Sequence, residues 1–226
     1  PGANGHQETF YLFPYDWRKD SVANARELVK RVERLKSKLQ RPDLKFNIVA
    51  HSMGGLIARY ASMYGDADLP AGEGPIQPTW AGAAHISKIV MIGVPNEGST
   101  DAFASILEGY SVTEGLRRRV PLLNKLTAED IVTVPSVFQL LPHRDAVKFL
   151  DENLQAIQID LYNIEVWKRY GWRVIYSSPD FRRRHGQEIG TDGSEDDLDA
   201  YLAATLRRAR RFHQALDSVE NTNSPV

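Results

Sequence analysis

KFNIVAHSMGGLIARY, residues 45–60, decides how the rest of the chain is read. Residues 46–50 form a short apolar, partly β-branched run that predicts a buried strand, and Leu56, Ile57 and Tyr60 follow at helical spacing. Between strand and helix stand Ala50, His51, Ser52, Met53 and Gly54, the pattern G-x-S-x-G with alanine in place of the first glycine. Such a turn holds its serine in a strained backbone conformation, and brings the residues two before and two after it so close that only very small side chains fit. Ala50 and Gly54 meet that demand. The turn lifts the Ser52 hydroxyl off the carboxyl edge of a sheet and sets the Met53 N–H at a helix N-terminus, where a developing oxyanion is stabilised.

Working outward, residues 9–13 (TFYLF) are apolar on both faces and predict an inner strand of a parallel sheet. Pro14 to Arg18 end it, and Asp20 or Ser21 caps a helix whose stripe is Val22, Ala25, Leu28, Val29, Val32, Leu35 and Leu39. Pro42 closes a right-handed βαβ crossover into the strand at Phe46. After a long Gly- and Pro-rich excursion over residues 65–82, residues 86–94 (ISKIVMIGV) predict the next buried strand. Pro95, Asn96, Glu97, Gly98 and Ser99 then fall beside Ser52 if the two strands are neighbours. Residues 101–143 are irregular and apolar, broken by Pro121, Pro135 and Pro142, which suits a cap over the site. Residues 174–176 are a candidate short strand, with Trp167, Tyr170 and Trp172 expected to pack the cap or a helix end. A charged helix with one apolar face begins near Glu195.

A length of 226 residues with 42% hydrophobic side chains is enough for one large domain. The formal net charge of −1 argues against a dedicated nucleic-acid binder. No apolar run approaches the ~20 residues of a membrane-spanning helix, and no signal-peptide pattern is in view. A soluble chain is the expectation, with the compartment left open and the cytoplasm favoured. Absence of cysteine excludes disulfides and thiolate chemistry, and without paired histidines at ligand spacing neither a metal nor another cofactor is expected. Both ends read as cut, in a chain that opens at Pro1 and stops at Val226.

Tyr15, Asp16, Trp17 and Arg18; the Ala-His-Ser-Met-Gly-Gly elbow; Gly93 to Ser99; and Pro135 and Ser136 leading to Leu140, Leu141 and Pro142 resemble, in type, order and spacing, the lecithin:cholesterol acyltransferase family. The resemblance covers roughly residues 9–170. It implies an α/β-hydrolase fold, a mostly parallel sheet flanked by helices with a helical cap insertion, incomplete at both ends. The core would occupy about 6–100, the cap about 101–190, and a helix at about 195–218 would return toward the core. It also implies a Ser-Asp-His triad and acyl transfer through an acyl-serine, from a lipid ester to an alcohol acceptor or to water. Ser52 matches the nucleophile and Met53 the elbow oxyanion donor. Ala50, Gly54, Pro95 and Gly98 are near-site structural positions. Asp16 and Arg18 are read as an ion pair pinning the strand end, a direct substrate role for Arg18 being the alternative.

The departures carry as much information. No acid-bearing segment of the family's G-D-G type follows Ser99, since Gly190, Thr191, Asp192 and Gly193 lack a preceding strand. The acid and base are therefore expected beyond Val226, and the second oxyanion amide before Pro1. Among the histidines, His51 is expected to face away from Ser52 into packing, and His213 to be a packing residue. His143 and His185 sit in loops. The arginine runs 117–119, 182–184 and 207–211 are read as solvated faces, with recognition of anionic lipid by a cap-borne patch as the alternative. An esterase or lipase, and a hydrolase-like domain that binds lipid without turnover, are the rival functions.

Overall fold

In the computed structural model, which describes residues 9–111, 125–173, 179, 194–218 and 224–226, the central stretch folds as strand, turn and helix. Strand β1 (Phe46–His51) is followed directly by α2 (Met53–Tyr64), and α1 (Ser21–Lys38) precedes them. Asp20 caps α1, its carboxylate accepting from the N–H groups of Val22 and Ala23, so of the two candidate caps the first is used. Strand β2 (Ile86–Ile92) runs parallel to β1, pairing Asn47 with Lys88 through His51 with Ile92. A glycine turn positions the long excursion before β2: a Cβ on Gly82 would lie 1.8 Å from the Ala61 carbonyl oxygen, so only glycine lets the loop lie against α2.

The remaining helices are α3 (Thr100–Glu108), α4 (Ala128–Ile131), α5 (Pro135–Phe138), α6 (Ile164–Arg169) and α7 (Glu195–Asp217). Two short antiparallel ladders join them, β3 (Tyr110–Ser111) with β4 (Lys125–Leu126) and β5 (Phe149–Leu150) with β6 (Ala156–Ile157). Apolar burial divides into two clusters. One packs α1 against α2 through Val22, Ala25, Val29, Leu56, Ile57 and Tyr60. The other packs α3, α4, α5 and α6 around Ile106, Ile131, Phe138 and Trp167. Trp167 meets Phe103 and Trp172 edge to face, so these aromatics pack the second cluster as their sequence context suggests.

Helix α7 belongs to both clusters. At 23 residues it spans about 35 Å, with Leu198, Leu202, Leu206 and Ala209 in the second cluster and Phe212, Ala215 and Leu216 in the first. Its arginines are internal ties more than a solvated face. Arg208 forks onto Asp20 at 2.7 and 3.1 Å and reaches Asp68 at 2.9 Å. Arg210 bonds Asp160, and Arg211 donates to the Gly74 carbonyl and to Gln214. Arg207 alone of this run is exposed and without a carboxylate partner among the described residues. The other two arginine runs and residues 174–176 lie outside the described residues.

Two strand expectations are corrected. Residues 9–13 form no strand; Phe10 and Leu12 face solvent while the Tyr11 ring meets Phe46 edge-on, so side-chain contact takes the place of strand pairing. Neither β1 nor β2 is buried on both faces. The helices cover one side, and Val49, Val90 and Ile92 on the other remain 66%, 45% and 51% exposed.

Asp20 joins the two clusters, since Gln139 on the C-terminal edge of α5 donates to Asp20 and accepts from the Ser21 N–H, both at 2.7 Å. Replacing Asp20 with alanine removes the α1 cap, leaves the Gln139 amide without its acceptor and leaves Arg208 with Asp68 alone. Chemical denaturation of Asp20→Ala is expected to show a loss of about 2–4 kcal/mol. Arg208→Met should cost less in that background than in the wild type, which a double-mutant cycle measures.

Candidate active site

The site begins with backbone geometry. Ser52 has φ 53° and ψ −133°, a conformation that costs a residue with a Cβ roughly 1–3 kcal/mol. Parallel pairing holds it there, because the Ser52 N–H donates to the Ile92 carbonyl at 3.0 Å and the Gly55 N–H to the Ser52 carbonyl at 3.0 Å. Ala50 and Gly54 do face each other across the turn. A methyl on Gly54 would sit 3.9 Å from the Ala50 Cβ and 3.6 Å from the Tyr15 hydroxyl, in ordinary contact. The stricter limit falls one residue on, at Gly55, where a Cβ would lie 2.1 Å from Val94 Cγ2. The amide of Met53, at the first turn of α2, has no backbone acceptor among the described residues.

Because β1 and β2 are neighbours, the loop after β2 lies beside Ser52. Gly98 has φ 88°, and a Cβ there would be 2.4 Å from the Leu141 carbonyl oxygen. The Ser99 N–H donates to the Leu140 carbonyl at 2.8 Å and the His143 N–H to the Glu97 carbonyl at 3.2 Å. The motif around Pro95 and the motif ending at Pro142 are thus two sides of one backbone seam. Together they wall a cavity of about 700 Å³ with Ser52 and Met53 on its surface. Tyr15, Trp17 and His51 line it from the core, and Pro95 from the loop after β2. Ala102, Ile131, Val137 and Leu140 line it from the second cluster.

Asp16 and Arg18 form the expected ion pair, with Arg18 Nε and Nη2 each 2.9 Å from a carboxylate oxygen. Hydrogen bonds from Arg18 pull the Asp16 carboxyl down to about 2. The pair is exposed and closes on itself, and Arg18 does not line the cavity. The segment is held by neighbours instead: Asn24 Nδ2 donates to the Asp16 carbonyl at 2.9 Å, and buried Ser136 donates its hydroxyl to the Trp17 carbonyl. The roles of Tyr15, Ser136 and Asp101, which also lines the cavity, were not drawn from sequence; the only signal for the first two was their place inside the quoted motifs.

The histidines sort differently from the sequence reading in one case. His51 is exposed at the end of β1 and lines the Ser52 cavity, so it does not turn into the packing; the uncovered face of the sheet leaves it nothing to pack against. His213 is 3% exposed and its ring stacks on His143 with centroids 3.9 Å apart. His143 Nε2 lies 3.1 Å from an Asp217 carboxylate oxygen, off the line of a ring N–H hydrogen bond, and Arg144 Nε approaches the same oxygen at 3.0 Å. Burial works against the Asp217 charge, but His143 and Arg144 outweigh it and hold the carboxyl below its ordinary range. This His–Asp contact borders a separate cavity of about 450 Å³ that Ser52 does not reach. Among the described residues no imidazole hydrogen-bonds Ser52, and no group of three or more His, Cys, Asp and Glu is placed to hold a metal. His185 and Asp192 lie outside those residues.

The geometry places a strained serine, a free helix-terminal amide and an apolar cavity together. A family model for lecithin:cholesterol acyltransferase matches residues 4–204, most of the chain. The chain belongs to that family, and with it to the α/β-hydrolase superfamily. The family points to a lipid acyltransferase or phospholipase-like enzyme, for which lipid or ester substrates are fitting. Comparison with curated proteins and with solved structures gives no match. Among the described residues no helix is long and apolar enough to cross a membrane.

Burial, reinforced by neighbouring His143, lowers the His213 pKa from 6.5 to about 3. As pH falls below about 6.5 the unfolded chain takes up a proton that the folded state refuses. This group therefore draws stability down progressively between about pH 6.5 and 3 and contributes no slope above that window. Urea unfolding at pH 7 and pH 4.5 should show that His213→Phe loses less stability on acidification than the wild type; equal losses would assign the slope elsewhere.

Proposed function

We propose that the protein is a serine-dependent lipid O-acyltransferase in which Ser52 carries the acyl group. The observation that carries the reading is the Ser52 turn itself: a positive-φ serine between a parallel strand and a helix N-terminus, on a largely apolar cavity of about 700 Å³. In this reading the core, residues 6–100, supplies the nucleophile, the segment 101–190 roofs it, and α7 returns to the core. Ser52 Oγ attacks the carbonyl of a lipid ester while a histidine takes its proton. The tetrahedral oxyanion rests on the Met53 N–H and a second donor. Collapse breaks the ester bond, the histidine protonates the leaving alcohol, and the acyl-serine passes its acyl group to an acceptor alcohol. Water in the acceptor position makes the same site a lipase.

In this reading the base and its carboxylate come from outside the described residues, because the His143–Asp217 contact borders another cavity and His51, though it lines the Ser52 cavity, makes no hydrogen bond to Ser52. That separation also favours a second reading, a lipid-binding domain without turnover. Fluorophosphonate labelling distinguishes them: the folded wild type should label and Ser52→Ala should not. A folded wild type that does not label would mean that Ser52 is not activated within these residues, leaving either a triad completed elsewhere in the protein or lipid binding as the function. Among labelled protein, acyl transfer to a long-chain alcohol exceeding hydrolysis of the same phospholipid would assign the transferase.

A further inference from the structure

Away from the Ser52 cavity, α7 and the loop that follows α2 enclose a groove of about 600 Å³. Arg207, Arg208, Arg210 and Arg211 line it from the helix, residues 69–73 line it from the loop, and Glu73 is the one carboxylate in that lining. A guanidinium stays charged at any pH the protein meets, so the partner of each arginine decides how much charge is left over. Arg208 has Asp20 and Asp68, and Arg210 has Asp160. Arg211 has neutral oxygens instead, the Gly74 carbonyl at 2.8 Å and Gln214 Oε1 at 3.0 Å, and its Nε is shut off from solvent without an acceptor. Arg207 is exposed and meets no carboxylate among the described residues.

Helix geometry brings these two uncompensated charges together. Residues four apart on a helix are neighbours, with Cβ atoms about 5–6 Å from each other, and like charges there oppose the fold. Arg207 and Arg211 are such a pair, and Glu73 across the groove answers one charge of the two. Arg208 and Arg211 are already held in place by their own acceptors, so little ordering is needed when a ligand arrives. The base of the loop is fixed as well. Arg26 donates to the Asp66 carbonyl, Tyr60 to the Ala67 carbonyl, and Leu69 packs on the first cluster. The tip is open: nothing lies within 4 Å of where a Cβ would stand on Gly72 or Gly74, and Pro70 and Ala71 give it an exposed apolar lip.

From this arrangement we infer that the groove binds a phosphoryl group, its oxygens shared between the guanidinium groups of Arg207 and Arg211. A carboxylate has two oxygens in one plane and matches one guanidinium fork, as Asp20 matches Arg208. A phosphoryl group has three acceptor oxygens spread in space and up to two negative charges, so it answers two guanidinium groups at once. Two sources carry that chemistry, a soluble phosphate ester and a lipid headgroup at a surface, and the second also meets the lip of Pro70 and Ala71. The inference goes beyond the acyl-serine reading and does not rest on it, since binding in this groove makes and breaks no bond.

The test measures binding by the whole protein of two kinds of probe. Glycerol phosphate is titrated by calorimetry. Vesicles of ether-linked phosphatidylcholine are sedimented alone, with ether-linked phosphatidic acid, or with oleate added to the same surface charge; the ether lipids offer Ser52 no ester to attack. The wild type should bind a phosphoryl probe and stay off vesicles of phosphatidylcholine alone. Arg207→Glu should weaken that binding about tenfold and Glu73→Gln should tighten it about threefold, both with the wild-type unfolding temperature. A gain in Glu73→Gln is a readout that misfolding does not produce. Arg207-dependent retention on phosphatidic acid vesicles assigns the lipid headgroup. Arg207-dependent binding of glycerol phosphate without retention on vesicles assigns the soluble ester. Binding of neither probe, binding that neither substitution moves, or equal retention on oleate vesicles would overturn the site. None of these readouts passes through Ser52, so failure here leaves the acyl-serine reading standing.

Discussion

The Asp20 carboxylate is the interaction on which the arrangement of the molecule turns. It caps α1 at the edge of the first cluster, receives Gln139 from α5 in the second, and is gripped by Arg208 from the helix that runs through both. The cavity at Ser52 has its nucleophile on one cluster and much of its apolar wall on the other, so its shape depends on how the two are docked. Apolar contact alone would allow the clusters to slide. A charge with four directional partners does not, and Ser136 on the Trp17 carbonyl and Ser99 on the Leu140 carbonyl hold the same boundary nearer the site.

What could be read from sequence was what is local. The elbow is decided within a dozen residues, because strand, turn and helix each leave their own pattern and a positive-φ serine needs small neighbours. The proximity of Pro95 and Gly98 to Ser52 followed from one inference, that consecutive strands of a βαβ unit pair. Long-range partnerships were not legible. Arg207, Arg208, Arg210 and Arg211 look alike in sequence, and only the acceptors each one meets in the fold, Asp20 and Asp68 for Arg208, Asp160 for Arg210, and the Gly74 carbonyl and Gln214 for Arg211, separate three ties from one exposed cation. His51 was misassigned because alternation along a strand says which face a residue takes, not whether that face is covered. For residues 9–13 the apolar pattern reported a real contact with Phe46 but not how the backbone would be used.

Tyr15 illustrates a subtler limit. In a run as aromatic as residues 10–15 a tyrosine is absorbed into the packing, and nothing in its spacing marks its hydroxyl. Its distinction is relational: the other inward-facing phenols have found carbonyls, while this one rests against Gly54 in the first turn of α2 and lines the Ser52 cavity.

The same logic bears on the choice between transfer and hydrolysis. An acyl-serine is consumed by whichever nucleophile reaches it first, and water is favoured by concentration alone. A site gains on water by having little polar surface to hold it near the ester and by binding the acceptor alcohol through its own chain. Ala102, Ile131, Val137 and Leu140 work toward the first condition, because none offers a side-chain hydrogen bond, while Asp101 and Ser105 in the same lining work against it. The second depends on whether the cavity holds an acyl chain and an acceptor chain at once. Ser99, Asp101, Ser105 and Tyr110 add polar groups to the same lining, so the cavity offers hydrocarbon contact beside polar contact, the combination that the two ends of a lipid ester call for.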